Sequence, residues 1–383
     1  MTAGSMTDHA PFRADHVGSL LRPAELKDAR DKRARGEITA EALCETEDRL
    51  IQEAVERQEE IGLQAITDGD FRRQSWSSDF LTAIRGVVQP PPSGGRPQQL
   101  DVPVGAIVRD WQPPTPKVAS RLAWPEGGIQ RKSFAFLDGV TSRTPKVTMP
   151  SPSMLHFRGG RGGVDPVAYP DMERFFADLV AVYRAEILDL AAAGCRYVQL
   201  DDTNLAYLCD ARQRERVKSI GEDPDQLPHL YASLINRAIA DRPADMKITI
   251  HLCRGNSLSR GHAEGGYEPV AEAIFNELKV DGFFLEYDDA RSGDFAPLRF
   301  VPKGALRIVL GVVTSKFGVI EDKGAVLRRI EEAARYMPLD QICLSPQCGF
   351  ASHTGGNLLS EEQQYDKLRF VVELAQEIWP DAQ

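Results

Sequence analysis

The sequence lacks an apolar run long enough to cross a bilayer, and its first residues lack the charged-then-apolar pattern of a signal peptide. It also lacks an excess of basic residues, because 56 Asp and Glu outnumber 46 Lys and Arg, and the two signs are mixed along the chain. No basic stripe is therefore available to neutralise a phosphate backbone. We expect a cytoplasmic protein with neither a membrane nor a nucleic-acid partner.

Cysteine is sparse, with six residues in a chain of 383. Such scattered cysteines argue against the disulfide framework of a small secreted domain, so we expect free thiols or metal ligands. A free cysteine is by default a small buried apolar residue. This is our prediction for Cys44, Cys195, Cys209 and Cys343, and it leaves Cys253 and Cys348 for a different role.

Short β-rich runs alternate with longer amphipathic segments along most of the chain, which is typical of βα units on a parallel sheet. Eight such runs with helices between them favour a (β/α)8 TIM barrel within the α/β class over an open sheet. The predicted strands are Ala14–Gly18, Ala65–Asp68, Lys146–Met149, Tyr197–Leu200, Lys247–Ile250, Gly282–Leu285, Arg307–Val312 and Ile342–Leu344.

Apolar residues at helical spacing predict six helices between these strands. They are Ala40–Ile61, Asp171–Ala193, Gln226–Asp241, Pro269–Leu278, Lys323–Tyr336 and Glu361–Ile378. Residues 86–144 interrupt the pattern because they are rich in Pro and Gly. Their two β-like runs, Val104–Val108 and Gln130–Phe136, predict a small β-hairpin, so we expect one domain over residues 1–383 with an insertion at 86–144.

Polar residues with metal-binding side chains follow several of the predicted strands. His251 and Cys253 are two apart in "KITIHLCRGN" and thus project to one face while the strand persists. Glu286 and Cys348 follow two later strands, and the C-terminal strand ends of a barrel lie together. One imidazole, two thiolates and one carboxylate suit zinc. A lone His-x-Cys pair is otherwise more often core packing, and the added Glu286 and Cys348 favour the metal site.

The chain resembles the cobalamin-independent methionine synthase family, specifically its C-terminal catalytic barrel in a short single-domain form. The resemblance implies a zinc-dependent methyl transfer from a methylated folate to the thiol of homocysteine. It also implies that His251, Cys253, Glu286 and Cys348 hold the zinc ion. The motifs that carry the resemblance, in chain order, are "RADHVGSLLRP", "ITDGDFRR", "KVTMPSP", "YVQLDDTN", the His-x-Cys and Glu pair, and "SPQCGF".

The same resemblance implies three substrate-binding residues. Asp201 corresponds to a carboxylate that binds the substrate amine, and Asp70 stands where the family usually has glutamate with the same role. Ser19 corresponds to the residue that holds the substrate carboxylate. A helix N-cap for Asp201 and a turn for Ser19 are the structural alternatives.

The segment "LGVVTSKFG" departs from the family, which usually has a histidine there to protonate the leaving group, whereas this chain has Thr314, Ser315 and Lys316. His353 or His16 could replace that general acid, unless each is a structural histidine. Our candidate catalytic residues are therefore Asp201 and His353. Because the family's additional N-terminal barrel has no counterpart here, the methyl donor stays open between a folate, a methylated corrinoid carrier and another activated methyl compound.

Two other functions remain open. A related single-barrel branch attaches the thiol coenzyme M to an epoxide, and its sulfonate would need cationic groups, whereas Asp70 and Asp201 favour an amino-acid thiol. The chain could also be a non-catalytic zinc-binding barrel, although such closed sites usually have more cysteines. In "FRGGRGG", Arg158 and Arg161 offer either an anion-binding loop or a solvated one. Homo-oligomerisation is also left open.

Overall fold

The computed structural model describes residues 10–90, 102–108 and 115–380, and its strands form a central parallel sheet with smaller two-stranded sheets beside it. The strands are β1 Ala65–Ile66, β2 Arg85–Val88, β3 Lys117–Ala123, β4 Thr144–Pro145, β5 Val147–Pro150, β6 Tyr197–Asp202, β7 Lys247–Leu252, β8 Gly282–Glu286, β9 Arg307–Val313 and β10 Ile342–Pro346.

Helices connect most of these strands. They are α1 Ala24–Ala34, α2 Ala40–Ile61, α3 Ser78–Ala83, α4 Arg131–Val140, α5 Met172–Ala192, α6 Asn204–Tyr207, α7 Ala211–Ser219, α8 Leu227–Ile239, α9 Glu268–Glu277, α10 Lys323–Ala333 and α11 Glu361–Ile378. None of the helices in the described part of the chain combines the length and the apolar character that a membrane span requires.

The central sheet has six parallel strands in the order β10-β9-β8-β7-β6-β5. Its strands are almost entirely buried, as expected for a parallel sheet with both faces covered. The register places Asp201 on β6 directly beside His251 on β7. Parallel pairing therefore brings the polar C-terminal strand ends to one edge of the sheet.

The mixed α/β fold with a parallel sheet is confirmed, while the closed eight-stranded barrel stays a prediction. Seven of the predicted strands are strands in the structure, but Ala14–Gly18 forms only a single parallel bridge, between Ala14 and Leu344. The chain leaves this extended course at Gly18, whose φ is +130° and where a Cβ atom would lie 2.7 Å from Thr148 Cγ2. Strand β1 pairs with β4, which directly precedes β5 of the main sheet.

The six predicted helices are helices in the structure, whereas α1, α3, α4, α6 and α7 were not predicted. Two of the predicted helices have ends that are marked by capping residues. Helix α2 begins after Thr39, whose hydroxyl accepts a hydrogen bond from the Ala42 N–H at 3.2 Å, and ends at Gly62 with φ +99°. Helix α11 begins with a capping box between Ser360 and Gln363. Both helices occupy the predicted bounds.

Within residues 86–144 one part of the prediction is wrong. Gln130–Phe136 is not a β-strand, because the chain forms helix α4 with Phe134 and Leu137 buried one turn apart. Val104–Val108 contributes one bridge, between Ile107 and Gly261. The antiparallel pair is instead β2 with β3. Residues 91–101 and 109–114 of this segment lie outside the described residues.

Candidate metal and substrate site

A cavity of about 330 Å³ opens where strands of the central sheet end. Its volume is in the range of small-molecule binding sites. The wall combines acidic, thiol and imidazole groups with aromatic and basic side chains. Seven of the residues predicted from the sequence for the site line it, whereas Glu286 and His16 are not among its lining residues. The seven are Ser19, Asp70, Asp201, His251, Cys253, Cys348 and His353.

Three of the four predicted zinc ligands converge in this cavity. One ligand atom each from His251, Cys253 and Cys348 lies within 4.8 Å of the others, and the two sulfur atoms are 3.4 Å apart. His251 is buried, and neither of its ring nitrogens has a hydrogen-bond partner among the described residues. A buried imidazole without a partner is costly, so the group fits a metal ion that accepts nitrogen and sulfur ligands.

The thiol pair has the electrostatics of a cation site. The adjacent Cys348 thiol and burial raise the pKa of Cys253 well above its ordinary value. The backbone N–H of Gly255 donates a hydrogen bond to the Cys253 sulfur at 3.2 Å. Two sulfur atoms this close are stable as thiolates only beside a strong positive charge, which a divalent metal provides.

Glu286, the fourth predicted ligand, lies outside this group of three. One carboxylate oxygen accepts a hydrogen bond from the Arg254 backbone N–H at 2.8 Å, and the other is bound by the Arg291 guanidinium. The Lys316 ammonium is 3.7 Å away. Burial alone would raise the pKa of Glu286, but Arg291, with Lys316 and Arg254, holds it below its ordinary value. Its carboxylate is therefore already neutralised by cations.

Asp201 faces the cavity from the end of β6. Among the described residues, its carboxylate accepts one side-chain hydrogen bond, from Gln199 at 2.7 Å. Burial raises the pKa of Asp201 to about 6, although His251 and Gln199 act in the opposite direction. Such a carboxylate gains from a cationic partner, and a substrate amine would supply one.

Asp70 and Ser19 lie on the same cavity wall. Asp70 adopts φ +60°, and one of its oxygens is 3.0 Å from an Arg73 guanidinium nitrogen and 3.3 Å from the Thr148 hydroxyl. The Ser19 hydroxyl lies 3.4 Å from the Ala351 N–H as an acceptor. A Cβ atom at Gly349, the residue after Cys348, would lie only 2.0 Å from that hydroxyl, so the close approach favours glycine.

The two candidate general acids are both poor proton carriers at neutral pH. Burial, with the charges of Arg22 and Arg158, lowers the pKa of His353 to about 4, and its Nε2 atom is 3.2 Å from the Ser257 hydroxyl. His16 is not among the described residues that line the cavity. Its Nε2 atom is 3.0 Å from the Ala65 carbonyl, and burial lowers its pKa to about 4 as well.

Lys316, in the segment where the resemblance leads us to expect a histidine, is buried. Its ammonium is ion-paired with Asp288 and lies 3.5 Å from Asp289. These acids, with Glu286, raise the pKa of Lys316 despite its burial. The lysine therefore keeps its proton within a charge network around Glu286.

The structure separates the two arginines of "FRGGRGG". Arg158 lines the cavity, whereas Arg161 donates hydrogen bonds to the carbonyls of Val164 at 3.0 Å and Tyr169 at 2.8 Å. Trp76 and Tyr207 also line the cavity, although no sequence motif indicated them. The contact between Arg291 and Glu286 was not predicted either, because no periodic pattern identifies contacts between loops.

Comparison with known proteins identifies the family of the chain. Residues 165–377 match the family model described as the catalytic domain of cobalamin-independent synthase. The uncharacterized protein YxjH of Bacillus subtilis is 48% identical, with 98% of each chain covered. A solved putative vitamin-B12 independent methionine synthase from Listeria monocytogenes is 42% identical with a TM-score of 0.77, covering 97% of this chain and 98% of that one.

A second solved structure supports the fold alone. The B12-independent methionine synthase from Shewanella sp. W3-18-1, in complex with selenomethionine, is 16% identical with a TM-score of 0.70, covering 96% of this chain and 98% of that one. The family model covers more than half of the chain, and the relative in Bacillus is similar over nearly its whole length. The chain therefore belongs to the cobalamin-independent synthase family, and its residues 165–377 match the catalytic domain of that family.

Proposed function

We propose that the protein transfers a methyl group to the sulfur of homocysteine, or of a closely similar amino-acid thiol, in a zinc-dependent reaction. The observation that carries this proposal is the group formed by His251, Cys253 and Cys348, in the same cavity as Asp70 and Asp201. A thiol-binding metal and two carboxylates that can bind an amine match the two ends of such a substrate.

His251, Cys253 and Cys348 would hold the zinc ion, and Glu286 would become the fourth ligand only if its carboxylate exchanged Arg291 for the metal. A zinc ion bound there would lower the pKa of the substrate thiol, so that the sulfur is nucleophilic at neutral pH. The selenomethionine named with the Shewanella structure is an amino acid of the same class as the proposed product.

The chain's own residues would orient the amino-acid part of the substrate. Asp201 has an elevated pKa and one hydrogen-bond donor, so a substrate ammonium would both ionise and satisfy it. Asp70 would act beside it, while Ser19 and the nearby backbone would hold the substrate carboxylate. This arrangement would leave the sulfur as the part of the substrate that reaches the cysteine pair.

The methyl donor would be a methylated folate, as the resemblance to the family implies, or a methylated corrinoid carrier. His353 is our candidate acid for a donor whose leaving group needs a proton. Because the pKa of His353 is about 4, this residue is a poor proton donor at neutral pH. A donor whose leaving group departs without a proton from His353 is therefore favoured.

One observation favours a second function. Arg158 places a cationic group in the cavity, as the sulfonate of coenzyme M would require in a zinc-dependent attack of that thiol on an epoxide. A non-catalytic zinc-binding domain is less consistent with a cavity of about 330 Å³ beside the ligand group. Binding of homocysteine and of 2-mercaptoethanesulfonate by the same zinc-loaded protein distinguishes the first two functions.

Zinc content and thiol binding test the proposal. We expect about one zinc ion per wild-type chain after reconstitution, because the predicted ligands are enough for a single zinc site. The Cys348→Ser variant should lose zinc and homocysteine binding together. Cys44 is exposed, so its predicted burial was wrong, and it lies far along the chain from the site. The Cys44→Ser variant should therefore retain both. A wild-type chain that binds no zinc would contradict the proposal.

We also propose that the sheet closes as a (β/α)8 barrel in a single domain, with residues 86–144 as an insertion. The support is the pair of hydrogen bonds between the segment near Ala14 and Leu344, from Asp15 N to Leu344 O at 2.9 Å and from Leu344 N to Arg13 O at 2.8 Å. Hydrogen exchange tests the closure: the amides of Asp15 and Leu344 should exchange as slowly as those of β6 and β7. Fast exchange at both would indicate an open sheet.

A further inference from the structure

We propose that Arg158 binds an anionic group, most simply a carboxylate, on the methyl donor. The cavity would then hold two charged substrates, with the amino-acid thiol at the carboxylates and the donor at the arginine. This inference rests on the proposed function, because it assigns Arg158 to the second substrate of the same site.

The guanidinium of Arg158 lacks a protein partner. It lines the cavity, and within the described residues its side chain makes no hydrogen bond or ion pair; only its carbonyl is bound, by Arg216. The fully buried Arg254, by contrast, donates to the Gly265 carbonyl and the Tyr267 hydroxyl. Arg158 itself is half-buried at the cavity wall, where its guanidinium is charged and unpaired, so a ligand anion entering the cavity would complement it.

The charge of Arg158 affects the pKa values of neighbouring side chains. Burial lowers the pKa of Arg158, and Tyr207 opposes this only in part. Arg158 also contributes to the lowered pKa values of His262 and His353, which line the same cavity. This part of the cavity is thus electropositive, and the planar guanidinium can form two parallel hydrogen bonds with a carboxylate.

Among the described residues, no acid of the cavity forms an ion pair with Arg158. Asp70 is paired with Arg73, and Asp201 accepts a hydrogen bond from Gln199. The amine and carboxylate of an α-amino acid share one carbon, so the carboxylate of the thiol substrate would lie near Asp201 and Ser19. An anion at Arg158 therefore belongs to the other substrate. Trp76 and Tyr207 offer this substrate aromatic surface in the same cavity.

The test compares a carboxylated and an uncharged donor on the zinc-loaded full-length protein. The probes are 5-methyltetrahydrofolate and the corresponding methylated pterin without its benzoylglutamate part, with Kd measured by calorimetry for wild type and Arg158→Gln. Loss of a charge-assisted bidentate contact should weaken the carboxylated probe by roughly 10- to 100-fold. The uncharged probe should bind both proteins equally, and Arg158→Lys should restore part of the lost affinity.

Arg161→Gln is the matched control, because Arg161 lies on the same segment but contacts backbone carbonyls. It should bind both probes as the wild type does. The assignment is wrong if Arg158→Gln and wild type bind the carboxylated probe equally, including no binding by either. It is also wrong if Arg161→Gln reproduces the loss, or if Arg158→Gln weakens homocysteine or 2-mercaptoethanesulfonate instead. The proposed function is judged separately, by zinc content and homocysteine binding of the wild type.

Discussion

Two buried carboxylates at the same edge of the sheet have pKa values that are shifted in opposite directions. Asp201, at the end of β6, has a pKa raised to about 6, whereas the pKa of Glu286, at the end of β8, lies below its ordinary value. Burial is the largest influence on both and acts in the same direction. The difference comes from their partners, because Glu286 is surrounded by three cations and Asp201 has none as close.

This difference separates the roles of the two residues. Glu286 is bound to Arg291 and lies 3.7 Å from Lys316, so its charge is already used within the protein. Asp201 lies in the cavity wall and forms no ion pair within the described part of the chain, so its carboxylate is available to a substrate cation. Diverging pKa values of neighbouring acids are a recurrent feature of active sites.

The largest expected effect is from Glu286→Gln, which would remove the main partner of the Arg291 guanidinium and a second carboxylate from the surroundings of the Lys316 ammonium. Breaking a buried ion pair from one side typically costs about 3–5 kcal/mol, so we expect a loss of that size in the free energy of unfolding. Urea denaturation of the zinc-free protein measures it without a contribution from metal binding.

Asp289→Asn is the control for this variant. Asp289 also lies near Arg291 and Lys316, at 3.4 and 3.5 Å, but its side chain is 42% exposed. We expect it to cost no more than about 1 kcal/mol. Equal stability of Glu286→Gln and wild type would contradict the neutralised state of Glu286. Zinc content of Glu286→Gln then shows whether the carboxylate also serves as a ligand.

The sequence predicted which residues line the site better than it predicted the ion pairs that these residues form. His251 and Cys253 could be placed together because a two-residue spacing along a strand puts side chains on one face, and Cys348 follows another strand of the same sheet. The partners of Glu286 could not be predicted, because Arg291 and Lys316 come from loops without periodicity. The β-strand expected at Gln130–Phe136 failed because tertiary packing favoured helix α4.

A smaller effect of opposite sign is expected for Asp201→Asn. The pKa of Asp201 is higher in the folded chain than its ordinary value of 3.8, so its contribution to stability is present below pH 3.8 and lost as the pH rises through about 6. At pH 7 the variant should thus be more stable than wild type by at most about 3 kcal/mol. Urea denaturation of zinc-free protein at pH 4 and pH 7 should show the gain only at pH 7.

Asp202→Asn provides the contrast. The Asp202 carboxylate accepts hydrogen bonds from the Ser151 and Ser153 hydroxyls and from the Asn204 N–H at 2.7 Å, so the amide should reduce stability. Asp201→Asn should also weaken homocysteine binding at pH 7, where the wild-type carboxylate is ionised. A variant that is less stable at pH 7 and binds homocysteine normally would assign Asp201 to structure instead of substrate.

The smallest expected effect is from His353→Gln, which tests whether the cavity contains a general acid. A residue that donates a proton in the rate-limiting step typically contributes about 100-fold or more to the rate. Because the pKa of His353 is about 4, its imidazole is neutral at pH 7. We therefore expect kcat for homocysteine methylation to change by less than about threefold, with the same pH dependence between pH 6 and 8.

The result bears on the methyl donor. A small effect would favour a leaving group that departs without a proton from His353, so a corrinoid carrier or another activated methyl compound would be the better candidate. A loss of about 100-fold together with a shifted acid limb in the pH profile would instead identify His353 as the acid and favour a folate, whose amine leaves poorly unless protonated. In that case substrate binding must raise the pKa of His353, and an anion at Arg158 would contribute by neutralising one of the two guanidinium groups that lower this pKa in addition to burial.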